Sequence, residues 1–490
     1  MSTKRVVIIG AGPCGLAALK EMREAGHDAV AIDKGRGLGG VFSSAEDNAY
    51  ENLYLTISNM MMAFSDFPPE DLRLKYSPAG EYAAYLEAYA DRFELRPHVR
   101  LRTEVVRAAR EGERWRITVR PAGAGDTAPH THLDADALLV ATGSNHIPRT
   151  IPLPGFTGQV LHAAEYRSAH AFAGKRVLVI GAGESAFDIA ADLAPVAAHT
   201  ALWSRTPITP GPRFINEIWA DPDHDELEVM KDESRWSRIK ISDVLESMTA
   251  SRLANAAPMW AYSSIRHAIW ALLRISPPTA QILSRWNRQA VAPDRLRGDQ
   301  LTVPTKSARL CTEAARGRVQ VVIARRADFD GAAARFTDVI DPADAPAVDL
   351  EGLDAVILCT GYRTDFSWLD APGVEWNPRT WYKHCFPPGH GRSLMFLGWA
   401  RPHQGGIPAC AELLARYIAL LLAGERTLPA DYAERARDEG RAEHEFYAGA
   451  QHQVNVVDYP AFMDSVARLI GCLPEPPSLS APERLLQYWL

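Results

Sequence analysis

Twice along the chain an unbroken aliphatic run gives way to a glycine-punctuated turn and then to apolar positions at helical spacing. The two copies are RVVIIGAGPCGLAAL at residues 5–19 and RVLVIGAGESAFDIA at residues 176–190. Four aliphatic residues in a row, at 6–9 and again at 177–180, suit a parallel strand covered on both faces, which has no side left for polar groups. After the first turn, Leu16, Leu19 and Met22 recur at the helical period. A second strand, AVAID, then ends in Asp33; in the later copy its place is taken by TALWSR, ending in Ser204 and Arg205. This pattern predicts an α/β fold with two Rossmann-like dinucleotide-binding domains. Residues 206–300 break the strand–helix alternation. They carry Trp219, Trp236, Trp260, Trp270 and Trp286, and SSIRHAIWALLRIS is amphipathic at the helical period, so helices are expected there.

Gly10, Gly12 and Gly15 have the G-x-G-x-x-G spacing, which lets backbone approach a pyrophosphate and helix lie close to strand. The helix that follows offers N–H groups and partial positive charge to the phosphates. Asp33, 21 residues after Gly12, suits a ribose diol. In the second copy Gly181 and Gly183 are kept, and Ala186 stands at the third position. An acid at the end of the next strand would serve a free 2′-hydroxyl. Arg205, 22 residues after Gly183, instead suits a 2′-phosphate through its planar fork. The expected cofactors are therefore FAD at the first loop and NADPH at the second, with hydride passing between them. Gly39 and Gly40, in GRGLGGVF, would let a loop run close to a ring system.

Composition acts mainly by exclusion. The 490 residues leave room for two or three domains, at roughly 100–200 residues each. A formal net charge of −7 gives no electrostatic argument for nucleic acid or an anionic membrane surface. The apolar stretch LLARYIALLLAG, 413–424, is interrupted by Arg416 and too short for a bilayer span, so no membrane anchor is expected. The apolar run beginning at residue 6 lacks a small-residue cleavage site and reads as strand, turn and helix. Six cysteines, at 14, 311, 359, 385, 410 and 472, include no C-x-x-C pair. That usage suits a reduced, cytoplasmic compartment and argues against a disulfide reductase, which needs a redox pair beside its flavin. His384, Cys385, His390 and His403 are metal-capable in type, but their spacing fits no zinc pattern, and no metal is expected.

Between the two loops, PGFTGQVLHAAEYRS sets Phe156, Gly158, His162 and Tyr166 in an F-x-G-x-x-x-H-x-x-x-[FY] arrangement. At these residues the chain resembles the flavin-containing monooxygenases. YENLYLTISNMMMAFSDFPPED resembles the family's segment beside the flavin, LLVATG and VILCTGY its two chain crossings, and LMFLGWARPHQGGIPACAELLARY its C-terminal flavin motif. With VDYPAFMDSVARLIGCLPEPP the likeness covers nearly the whole chain. Val41 stands where the family usually has tryptophan, and Glu184 and Ala186 replace its Asn and Gly. The expected organisation is an NADP domain, 151–329, inserted into a discontinuous FAD domain, 1–150 and 330–450. Residues 451–490 form a C-terminal helical segment, and the 206–300 insert caps the substrate entrance.

The resemblance implies that NADPH reduces FAD and that O2 adds to form a flavin C4a-hydroperoxide. The distal oxygen then passes to a soft nucleophile on a small molecule, as N- or S-oxygenation. Baeyer–Villiger oxygenation of ketones uses the same cofactors, but that family's signature ends in tryptophan where this chain has Tyr166. A non-catalytic nucleotide-sensing module would consume no NADPH. Asn59 matches the family's asparagine beside the hydroperoxide and is the expected catalytic residue. Cofactor contacts are expected from Gly10, Gly12, Gly15, Asp33, Gly39, Gly40, Gly143, Gly181, Gly183, Ser185, Ser204, Arg205, Gly398 and Gln404. His162 reads as a hydrogen-bonded structural histidine of the linker. A helix starting near Pro408 would aim its N-terminus at the flavin pyrimidine edge. The oligomeric state is left open, a homodimer included.

Overall fold

The computed structural model describes residues 3–214 apart from 47, 126 and 146; 225–232; 278–290; 305–448 apart from 343, 344 and 404; and 454–477 with 480. Arg5–Ile9 lies at the centre of a five-stranded parallel sheet, between Asp28–Ile32 and Ala137–Val140, with Val99–Arg100 and Leu394–Phe396 at the edges. Val6, Val7 and Ile8 are fully buried, because both faces of this sheet are covered. The helices Pro13–Glu24 and Ile407–Ala423 pack together on one side. On the other, Trp115, Ile117 and Val119 of a small four-stranded sheet join Val7, Ile9, Leu138 and Val140 in a single core.

The second loop heads a seven-stranded sheet. Arg176–Ile180 is paired in parallel with His199–Ser204 and Ala355–Leu358; Val319–Asp330 and Gln159–His162 extend it on the two sides, also in parallel. Ala333–Asp341 and Ala347–Leu350 complete one edge as antiparallel strands. The chain thus stays in the second sheet as far as Leu358, beyond the return expected near residue 330. The reason is that the hairpin after Val319–Asp330 folds back onto its own sheet. The apolar strand Ala355–Leu358 then fills the space between Arg176–Ile180 and Gln159–His162. The outward and return crossings hydrogen-bond to each other, Ile147–Pro148 running antiparallel to Tyr362–Arg363.

At the base of the insert, Pro210–Gly211 pairs in parallel with Thr305–Lys306. Glu226–Lys231 and Pro278–Ala290 are helices, and in the latter Trp286 is buried with its indole N–H donated to Asp341 at 3.0 Å. Trp219, Trp236, Trp260, Trp270 and the 263–276 stretch lie outside the described residues. Tyr459–Ile470 packs as a helix against Ile407–Ala423. Among the described residues no helix is long and apolar enough to cross a membrane.

Candidate active site

The first loop is closed by contacts that only glycine permits. Gly10 has φ +109°, and a Cβ there would lie 2.4 Å from the Ala141 carbonyl oxygen. At Gly15 a Cβ would lie 1.9 Å from the Gly10 carbonyl oxygen, so the helix sits directly on the turn. Gly39 and Gly40, at φ +99° and +60°, fold over this turn. The Gly39 N–H donates to the Ala11 carbonyl at 2.9 Å, and Gly40 approaches Gly12 closely enough that its Cβ would be 3.1 Å from the Gly12 Cα. Gly12 caps Pro13–Glu24 without any side-chain hydrogen bond, which leaves first-turn N–H groups available for an anion. Asp33 ends the neighbouring strand; its carboxylate accepts from the Ala11 N–H at 2.6 Å and the Gly35 N–H at 2.7 Å. Two further lone pairs remain for a diol. A dinucleotide therefore fits this loop.

The C-terminal flavin motif meets the first loop from above. Gly398, at φ +85°, lies over Cys14, whose Sγ would be 2.8 Å from an added Cβ. Burial raises the Cys14 thiol to about 12, so it is a neutral packing group. Ile407–Ala423 begins with Pro408 in its first turn and has no side-chain cap. Its N-cap, Gly406, abuts Met61, a Cβ there meeting the Met61 carbonyl oxygen at 2.1 Å. Asn59 is buried in the same short helix. Its amide donates to the carbonyls of Asp71 at 3.1 Å and Arg73 at 3.0 Å, and its Oδ1 accepts from the Lys75 N–H at 3.1 Å. Asn59 thus clasps the 71–75 segment to its own short helix, Asn59–Met62, which packs against Ile407–Ala423. Gly143 turns with φ +76° in open space after Ala137–Val140. Gln404 lies outside the described residues.

The second loop is more open. Gly181 is forced by the Cys359 carbonyl, 2.4 Å from a would-be Cβ, but nothing lies within 4 Å of the Cβ position of Gly183. Glu184–Leu193 has no side-chain cap, and Ser185 in its first turn is exposed. Arg205 is exposed just past His199–Ser204 and forms no ion pair among the described residues. Ser204 is turned inward, donating to the Thr206 carbonyl at 2.6 Å and accepting from its N–H at 3.3 Å, so it shapes the turn that presents Arg205. This loop also fits a dinucleotide, through a first turn without a side-chain cap and the exposed Arg205 guanidinium.

Beneath the second loop lies a buried ionic network. Asp188 and Asp192, one turn apart on Glu184–Leu193, meet Arg213 at 3.3 Å and Arg309 at 2.8 Å. The Arg213 side chain is completely buried and also faces Glu226 at 3.4 Å. Glu226 in turn accepts from the N–H groups of Arg213 at 2.6 Å and Ala308 at 2.9 Å. Burial opposes the Arg213 charge, but Asp188 and Glu226 outweigh it and hold the guanidinium above its ordinary range. From above, the Thr305 hydroxyl donates to the Ala182 carbonyl at 3.0 Å. Sequence reasoning missed these residues. Two acids on the apolar face of a helix, in ESAFDIAADL, were the one available sign that buried cations must answer them.

The linker signature joins the two crossings. Gly158 passes so close to Asp354 that a Cβ would lie 2.7 Å from its carbonyl oxygen. His162 Nδ1 accepts from the Ala164 N–H at 3.1 Å, and its Nε2 donates to the Gly361 carbonyl at 3.0 Å. Burial lowers its pKa, in keeping with a neutral structural ring. Tyr166 is buried edge-on to Tyr50, ring centres 5.7 Å apart. The metal-capable residues go to separate partners: His384 to Glu443 at 2.7 Å, His390 to the Pro372 carbonyl at 3.2 Å, and His403 to Tyr447 at 2.8 Å. A different acidic group, Glu21, Asp66 and Glu412, is balanced by Lys20 and Arg416.

A flavin-binding monooxygenase-like family model matches residues 3–221 and 328–487. The 4-hydroxybenzoate brominase (decarboxylating) of Marinomonas mediterranea is 33% identical over 490 residues, an alignment covering 97% of this chain and 85% of that protein. Flavin-containing monooxygenase 5 of Oryctolagus cuniculus is 28% identical over 503 residues, covering 98% and 85%. Among solved structures, S-allyl-L-cysteine S-oxygenase from Allium sativum shares the fold with a TM-score of 0.62 at 20% identity, covering 99% of this chain and 92% of the other. An NADP-bound steroid monooxygenase does so with a TM-score of 0.63 at 20%, covering 96% and 98%. FAD and NADP(H) are thus the cofactors of this oxidoreductase, and the chain belongs to the flavin-binding monooxygenase-like family.

Proposed function

We propose that this enzyme uses NADPH and O2 to transfer one oxygen atom to a soft nucleophile, an amine nitrogen or a thioether sulfur, on a small molecule. The supporting observation is the pair of uncapped helix N-termini at Gly12 and Gly183, on two sheets whose connecting crossings pair with each other. When bound, the flavin accepts hydride and activates O2. The chain's own task is to bind, orient and exclude water. Gly10, Gly12 and Gly15 bring backbone to the first pyrophosphate, Asp33 takes the ribose, and Gly39 and Gly40 cover the turn. Gly143 and Gly398 give the backbone the sharp turns that keep it clear of the ring. Gly181, Gly183 and Ser185 receive the second pyrophosphate, and Arg205 the 2′-phosphate. The N-terminus of Ile407–Ala423 offsets negative charge at the flavin's pyrimidine edge. Asn59 holds the neighbouring wall with neutral hydrogen bonds and brings no acid near the transferred oxygen. Burial keeps the Cys14 and Cys359 thiols protonated, so neither competes as a nucleophile.

Bromide is a second candidate for the soft nucleophile, favoured by the 33% identity to a brominase over nearly the whole chain. Oxygen transfer to bromide with uptake of one proton gives hypobromous acid, an electrophile toward a phenol ring.

The test is NADPH and O2 consumption with amines, thioethers, ketones, or bromide plus 4-hydroxybenzoate, added separately, with product and hydrogen peroxide both measured. Oxide formed in step with NADPH consumed, from an amine or thioether, supports the first assignment; bromide-dependent ring bromination supports the second. Consumption that ends only in hydrogen peroxide with every addition overturns oxygen transfer.

A further inference from the structure

One half-buried ring stands where the two nucleotide sites meet. Thr305–Lys306, which holds the second loop through Ala182, brings the Lys306 charge to bear on His403. Two residues before His403, Arg401 faces Glu184, the first residue of the second pyrophosphate helix, at 4.0 Å. Three residues after it, Gly406 abuts Met61 and the flavin-edge helix begins at Ile407. His403 Nδ1 lies 2.8 Å from the Tyr447 hydroxyl and 3.2 Å from the Val457 carbonyl oxygen. That carbonyl already accepts the His403 backbone N–H at 3.1 Å. The Tyr447 hydroxyl has no other hydrogen-bond partner among the described residues, and donation of its proton to Nδ1 is the pairing that satisfies it. The ring is then the neutral tautomer with its proton on Nε2. Burial, aided by Lys306 and opposed by the Val457 carbonyl, lowers its pKa to about 4. Nε2 bonds to no described protein group.

We propose that His403 is a cofactor-contacting donor whose Nε2–H bonds to an oxygen of the bound nicotinamide dinucleotide, with Tyr447 as the positioning residue that sets its tautomer. Nothing in the linear spacing singles out this pair, 44 residues apart. The inference rests on the second loop being the NADP site. It deepens that assignment by adding a donor from the FAD domain, so that nucleotide binding draws the two domains together.

The experiment is NADP+ titration of the oxidised, FAD-loaded protein, followed by the flavin absorbance change, in wild type, His403→Leu, His403→Gln and Tyr447→Phe. Glutamine places an amide N–H near the position of Nε2. His403→Leu is expected to weaken NADP+ about tenfold, in line with one lost hydrogen bond; His403→Gln restores most of it. Tyr447→Phe weakens binding at unchanged flavin content, because Nδ1 then takes the ring proton for the Val457 carbonyl. Nitrogen-15 spectra of wild type, which need no substitution, should show the proton on Nε2 and an Nε2 shift when NADP+ is added. Wild-type affinity in His403→Leu, equal loss in His403→Gln and His403→Leu, or an Nε2 resonance indifferent to NADP+ would overturn the role of His403 alone. Wild type that keeps FAD but ignores NADP+ would overturn the assignment of the second loop as well.

Discussion

The two glycine loops share a strand, a turn and a helix, yet they close in opposite ways. In the first, Gly15 seats the helix so tightly that its Cβ would overlap the Gly10 carbonyl. At the same spacing in the second, Ala186 carries its Cβ into a fully buried site without conflict. Gly39 and Gly40 roof the first turn, whereas Gly183 faces open space. The beds beneath them are alike in kind. Behind the first helix Leu16, Leu19 and Met22 are fully buried beside the ion-paired Lys20 and Glu21; behind the second, Phe187, Ile189 and Leu193 are fully buried beside Asp188 and Asp192, answered by Arg213 and Arg309. A roofed loop suits a cofactor that stays, and an open loop suits one that comes and goes with each turnover.

Substitutions at matched positions test this contrast. The largest effect is expected from Gly15→Ala: with backbone on both sides of the clash, the purified protein should lose essentially all its flavin absorbance. Flavin retained at the wild-type ratio would mean that the first helix can shift as readily as the second. Next comes Arg213→Met, which leaves Asp188 and Glu226 without their buried cation. Breaking such a pair costs about 3–5 kcal/mol, measurable by denaturant unfolding. A loss below about 1 kcal/mol would show that water reaches the network and that burial does not set its strength. Arg205→Ala should raise KM for NADPH about 10–100-fold and leave NADH unaffected, as expected for a charge-assisted contact worth about 1.5–3 kcal/mol. Parallel changes for both nucleotides would place the 2′-phosphate elsewhere.

Acid should act on the histidines of the linker and of the junction between the loops. The folded-state pKa values of His162 and His403 lie below the ordinary 6.5, that of His403 at about 4. Between about 6.5 and 4 the unfolded chain binds these protons first, so stability should fall as pH drops through that window. Thermal unfolding scans of wild type and His403→Gln should diverge there, the glutamine variant losing less. The smallest effect belongs to Ala186→Gly, the converse of Gly15→Ala. It should leave flavin content unchanged and cost about 1 kcal/mol or less from helix propensity, read as a small drop in Tm.

Much of this architecture was legible in the linear pattern. Both strand–turn–helix units, the acid Asp33 and the base Arg205 stand at the ends of the expected strands, and His162 makes the linker hydrogen bonds its place suggested. Other features were not. AVIL at Ala355–Leu358 is apolar enough for either sheet, and it joins the second, where Arg176–Ile180 and Gln159–His162 pair with it on both sides. Ser204 turns inward beside Arg205 because Thr206 satisfies its hydroxyl.

By itself the order of residues determined what is local: where strands run, where only glycine can turn, and which charge ends each βα unit, since these depend on neighbours within a few positions. The tertiary structure decided what depends on distant partners. It put Cys14 under Gly398, Arg213 beneath Asp188, and Tyr447 against His403. Burial and hydrogen bonding set the charge and tautomer of such groups, and both arise only when segments tens to hundreds of residues apart exclude water together.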